Sequence, residues 1–117
     1  MKKIILLLLL VIFGFTAKSQ VIVNDVNIND LDIQYIELIG AAKILNPFKI
    51  KVYVDYGQKM SWKQQTIKNA EGKNYAFNTM VEALNFLSEN GWEYVNNYVV
   101  NSSDGSLTYR YLLKRKS

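Results

Sequence analysis

Phe77-Asn78-Thr79-Met80-Val81-Glu82-Ala83-Leu84-Asn85-Phe86-Leu87-Ser88-Glu89-Asn90-Gly91-Trp92 is the stretch whose reading decides the fold. Thr79 and Glu82 have the spacing of a capping box, with Asn78 a competing N-cap. Phe77, Met80 or Val81, Leu84, and Leu87 or Ser88 recur at intervals of three to four residues, which lays one stripe along a helix. Asn90-Gly91 supplies the stop. With Gly91 at C′, Trp92 becomes C″ and Leu87 becomes C3, the pair that touches when a helix ends in a left-handed cap. Leu87, Gly91 and Trp92 are therefore read as a structural cap, which explains all three without a ligand.

On either side of this helix the period changes to two. Phe48, Ile50, Val52, Val54 and Tyr56 alternate with Lys49, Lys51, Tyr53 and Asp55, the cleanest strand pattern in the chain. Ile33, Tyr35 and Ile39 alternate with Asp32 and Gln34 in a strand ending at Gly40. A link over 41–47, closed by Asn46-Pro47, joins the two strands as a long hairpin. After the helix, Trp92 to Val100 reads as a strand with unsorted faces, and Asn96-Asn97 marks a bulge that exchanges them. Residues 101–106 are turn chemistry. Leu107, Tyr109, Tyr111 and Leu113 then alternate with Thr108, Arg110, Leu112 and Lys114 in the last strand. Between the first pair and the helix, a small hairpin is expected with arms near 64–68 and 73–77. The resulting expectation is α+β: a single antiparallel sheet of order β-β-(small hairpin)-α-β-β, with one helix packed on one face. One domain over 32–117 follows, preceded by an irregular leader over 20–31, where Asn24-Asp25 and Asn29-Asp30 are turn formers.

Met80-Val81-Glu82-Ala83-Leu84-Asn85, Asn90-Gly91-Trp92-Glu93-Tyr94-Val95, and Tyr109 to Arg115 with its closing Lys-Arg together resemble a known pattern. They look like the small bacterial domains of unknown function built around a helix, a Gly-Trp-Glu turn and a closing hairpin. The resemblance covers about a third of the chain, over 77–115. It implies a fold and, for exported versions, a Gram-negative bacterial setting. It brings no activity, cofactor or catalytic residue.

The N-terminus has the form of an export signal. Lys2 and Lys3 precede an apolar run from Ile4 to Phe15, and Ala17-Lys18-Ser19 places small residues at the −3 and −1 positions of a cleavage site. The run is shorter than the roughly 20 residues a membrane-spanning helix needs, so residues 1–19 are read as a removed signal peptide, with an uncleaved anchor as the alternative. The whole chain has 14 basic and 10 acidic residues; Lys2, Lys3 and Lys18 leave with the signal, so 11 basic residues face 10 acidic ones. Most of the apparent basicity belongs to the export signal, and a nucleic-acid partner loses its main support. The exported chain is expected to be soluble, and to be periplasmic or secreted.

There is no histidine and no cysteine. Imidazole acid–base chemistry, Cys-His and Ser-His nucleophiles, disulfides and the usual N/S zinc sets are thereby excluded. An enzyme would have to work with carboxylates, Lys, Tyr or Ser, and no phosphate loop or calcium loop is present. Glu82 and Glu89 lie seven residues apart on the helix, about 10.5 Å of rise, too far for a retaining pair and marginal for an inverting one. No catalytic residue, metal ligand or cofactor is therefore assigned. The polar set on the non-core strand faces (Lys49, Lys51, Tyr53, Thr108 and Arg110) is the candidate interaction surface. Lys114-Arg115-Lys116 forms a basic end that reads as solubilising or edge-shielding before it reads as a binding site. The expected function is a non-catalytic binding module, with a protein or envelope glycan favoured over nucleic acid. The alternatives are a self-associating envelope accessory protein and a His-free carboxylate hydrolase.

Overall fold

A computed structural model of the chain describes residues 19–43, 46–59, 65–101 and 103–117. Residues 1–18 of the export signal expected over 1–19 lie outside the described residues. Among the described residues there are seven strands and one α-helix: β1 (Ile22–Val23), β2 (Val26–Asn27), β3 (Tyr35–Lys43), β4 (Asn46–Asp55), β5 (Ile67–Lys68), α1 (Met80–Glu89), β6 (Trp92–Asn101) and β7 (Leu107–Arg115). They form two antiparallel sheets, one of order β2-β1-β5 and one of order β4-β3-β7-β6.

The expectation of a single sheet is thus overturned. The additional sheet is built from two-residue strands, too short to show any periodicity, and its pairing joins distant segments: Val23 lies opposite Ile67. Residues 22–27, expected within an irregular leader, are instead a tight hairpin with Val23 opposite Val26. Asn24 and Asp25 have φ of 47° and 66°, the left-handed pair that a two-residue hairpin turn requires. The turn chemistry was legible; what it connects was not. Asn27 then opens a 3-10 turn over Ile28–Asp30, its side chain accepting from Asn29 N–H. Val21, Val23 and Ile28 are fully buried, so this segment is part of the core.

The link over 41–47 is also shorter than expected. Ala41, Ala42 and Lys43 continue β3, and Asn46 and Pro47 already belong to β4, with Lys43 opposite Asn46. Pro47 is accommodated because β4 is the outermost strand of its sheet, where a missing N–H is tolerated. The small hairpin forms near its expected place. Ile67 O accepts from Tyr75 N–H at 2.8 Å, and Lys73 O from Asn69 N–H at 2.8 Å, while Gly72 holds φ of +79° in the turn.

Helix α1 starts at N-cap Thr79, whose hydroxyl accepts from Glu82 N–H at 3.1 Å. The Glu82 carboxylate reaches back to Asn78 N–H at 2.9 Å, one residue earlier than the usual reciprocal bond. Asn90 is the C-cap and Gly91 follows with φ of +96°. Leu87 and Trp92 are both fully buried in the same core cluster as Met80, Ala83, Ile36, Leu38, Val54 and Leu113. Met80, not Val81, is the inward residue; Val81 is 63% exposed. Gly40 makes room for it: a Cβ there would lie 2.2 Å from Met80 Sδ. Tyr75, Phe77 and Phe86 close one side of the helix, with ring centroids 4.7 to 5.7 Å apart.

Candidate functional site

The two borders of the four-stranded sheet differ. Along β4, Gln65 and Thr66 run beside the strand, with Val54 N–H donating to Gln65 O at 2.8 Å and Tyr53 opposite Thr66. Along β6, among the described residues, no strand pairs on the outer side. This edge is ten residues long, and every residue from Tyr94 to Asn101 is exposed. Tyr94, Tyr98 and Val99 are 53%, 48% and 52% exposed.

A bulge sorts its faces. Tyr94 pairs with Leu113 and Asn96 with Leu112, leaving Val95 extra. Trp92 and Tyr94 therefore lie on the helix side of the sheet, whereas Tyr98 and Val100 fall on the outer side and Val99 on the helix side. The expected exchange of faces is present, one residue ahead of Asn96-Asn97. Tyr94 and Asn97 meet through a hydroxyl–carboxamide hydrogen bond across it.

Register carries this order across the outer face. Tyr53, Ile39, Arg110 and Tyr98 form one row over the four strands, and Lys51, Ala41, Thr108 and Val100 the next. Lys51, Tyr53, Thr108 and Arg110 are thus gathered on one face in adjacent rows. Lys49 belongs to β4, and its side chain lies outside the described residues. A third row is Asp55, Glu37, Leu112 and Asn96. Glu37 is the polar hub: Arg110 Nη1 donates to one carboxylate oxygen at 2.5 Å and the Tyr98 hydroxyl to the other at 3.1 Å. The hydrogen bond that Arg110 donates to Glu37 raises the guanidinium pKa above its ordinary value, holding it charged at all working pH. Farther along, Lys114 pairs with Glu93 at 3.3 Å. Charges of both signs are interleaved and largely paired, so this face has no single-sign field to attract a polyanion.

The basic end has different work from that expected. Arg115 donates to three carbonyls of the N-terminal segment: Asn29 O at 3.2 Å, Leu31 O at 2.9 Å and Ile33 O at 3.0 Å. Its guanidinium also lies over the Trp92 ring, 4.8 Å from the centroid. Trp92 Nε1 donates to Asn29 Oδ1 at 2.7 Å, and Asn29 Nδ2 to Asn90 O at 2.9 Å. Lys116 Nζ caps the helix at Ser88 O, 2.5 Å away. Sequence reading missed this latch because a basic tail looks solvated until the segment it binds is in place. The one available signal was the row of asparagines over 24–29.

Among the described residues no group of three acidic side chains could hold a metal ion, and no helix is long and apolar enough to cross a membrane. The chain matches no protein-family model, no curated protein and no solved structure; the resemblance over 77–115 rests on its residues alone.

Proposed function

We propose that this chain is an exported, non-catalytic interaction module that holds an extended segment of a protein partner along the free edge of β6. The observation that carries this reading is the edge itself. Natural edge strands are usually guarded by charge, proline, brevity or a covering segment. From Tyr94 to Asn101 there is no charge and no proline, and the lone bulge lies at the start. Such an edge offers backbone donors and acceptors to an added strand, while Tyr98 and Val100 on one side and Val99 on the other meet its alternating side chains. Three carboxylates are already engaged, which supports binding over hydrolysis: Glu37 serves Arg110, Glu82 caps the helix and Glu93 pairs with Lys114.

The test is site-specific photo-crosslinking in the exporting cell, with the probe at Val99 and a control probe at Lys73 in the exposed turn. A defined protein captured from Val99 alone, and lost when Val100→Lys places a charge on the edge, supports the reading. Equal capture from both positions, or none from Val99, overturns it. A product at twice the chain mass, with a matching dimer in light scattering, transfers the edge to the self-associating alternative.

A further inference from the structure

The expected cleavage site meets the fold at an unusual place. Gln20 N–H points at Asn90 Oδ1, 3.3 Å away, beside the C-terminal end of α1. One residue on, Val21 is fully buried, its N–H donating to Asn27 Oδ1 at 3.3 Å and its carbonyl accepting from Ile28 at 2.9 Å. The chain is therefore fixed in position from the first residue after the signal. Ser19, Asn29, Asp30, Asn90, Arg115 and Lys116 lie around a shallow depression at this point.

The helix end lacks something that this arrangement supplies. The last turn of α1 contains no basic residue, although the negative end of a helix dipole favours cations. One cation arrives from the far end of the chain, as Lys116 Nζ on Ser88 O. The Asn90 side chain is already turned toward the helix, its Nδ2 donating to Phe86 O at 2.8 Å, which leaves Oδ1 as an acceptor facing Gln20. Arg115 in the depression is committed to its three carbonyls, and Asp30 adds negative charge to its lining.

We propose that removal of the signal after Ser19 creates a docked N-terminus, in which the Gln20 α-ammonium binds the Asn90 carboxamide oxygen at the C-terminal end of α1. This rests on the export reading. Signal peptidase hydrolysis breaks the Ser19 C–Gln20 N bond; the water oxygen stays on the Ser19 carboxylate and the amine takes up a proton. The same residue carries its own off-switch. N-terminal glutamine cyclises when its amine nitrogen attacks its side-chain Cδ and expels Nε2 as ammonia, and the resulting lactam has no cationic nitrogen to dock. Docking favours the charged amine, so its pKa in the folded chain is raised above the ordinary value of about 7.7–8.0. The stabilisation is complete below that ordinary value and is lost as pH rises through the folded one.

The test uses the chain beginning at Gln20, before and after conversion to the pyroglutamyl form by a glutaminyl cyclase, with urea unfolding of both. At about pH 6 the free-amine form is expected to have a folding equilibrium constant about two- to fivefold larger, and at about pH 10 the two forms coincide. Asn90→Ala removes the difference between the two forms and Asn90→Asp enlarges it; both comparisons are made within one variant, so the capping role of Asn90 cancels. Identical unfolding of the two forms at about pH 6, or a difference that persists at about pH 10, overturns the docking. Mass spectrometry of the exported protein reads the processing separately. A mature chain beginning elsewhere overturns the cleavage, while the unfolding comparison still decides whether an ammonium at Gln20 binds.

Discussion

Replacing Arg115 with alanine is the sharpest test of how this chain is held together. The guanidinium spends its fork on Asn29 O, Leu31 O and Ile33 O at 2.9 to 3.2 Å and its flat face on Trp92. A hydrogen bond to a charged group contributes about 1.5–3 kcal/mol, and a cation over an indole face about 0.5–1 kcal/mol where partly exposed. The three bonds share one half-buried donor and the freed carbonyls regain water, so they do not add in full. A loss of about 3–4 kcal/mol is expected for Arg115→Ala, a large share of the roughly 5–15 kcal/mol that holds a small domain. Arg115→Lys keeps the charge and the stem but not the fork, and is expected to lose about 2 kcal/mol. Urea unfolding monitored by Trp fluorescence gives these differences. Hydrogen exchange locates them: the Ile28 and Leu31 amides, bonded to Val21 O and Ile28 O, should lose protection well before the amides between β3 and β7. If Arg115→Ala unfolds within about 1 kcal/mol of the parent, as an ordinary surface change would, or if Ile28 keeps its protection, the latch reasoning is wrong.

Two glycines separate lack of space from backbone conformation. At Gly40 an added Cβ lands 2.2 Å from Met80 Sδ, so Gly40→Ala should cost about 1–3 kcal/mol through overpacking; combining it with Met80→Ala in a double-mutant cycle should show strong non-additivity. At Gly91 nothing lies within 4 Å of an added Cβ, but φ is +96°. Gly91→Val is expected to cost about 1–2 kcal/mol by thermal unfolding, with Gly91→Asn recovering part of it because asparagine tolerates left-handed backbone. Asp104 accepts from the Ser106 hydroxyl at 2.7 Å and from its N–H at 3.0 Å, bonds that lower the Asp104 pKa below its ordinary value. The associated stabilisation is present above the ordinary carboxylate range and is lost as pH falls through the lowered value. Ser106→Ala should move the NMR titration of Asp104 back up, and an unchanged midpoint would contradict the assigned cause.

What the sequence determined by itself is local. Thr79 and Glu82 cap the helix where their spacing placed them, Gly91 turns the chain where a left-handed residue was needed, and the expected strands became β3, β4, β6 and β7, although on β3 the inward residues are Ile36 and Leu38 and the expected Tyr35 is exposed. These signals concern neighbours along the chain, and hydrogen-bond geometry and backbone sterics suffice to read them. Even the Asn24-Asp25 turn was visible, although its arms of two residues were too short to announce themselves. Only the tertiary structure decided that those arms pair with Ile67 in an additional sheet. It also turned Arg115 from a solvated charge into a clasp on Asn29, Leu31 and Ile33, set Lys51, Tyr53, Thr108 and Arg110 side by side, and left β6 outermost. Each of these depends on contacts between residues tens of positions apart. In such contacts the identity of one residue says little until its partner is in place, and the free edge of β6 is a property of strand order that no single strand carries.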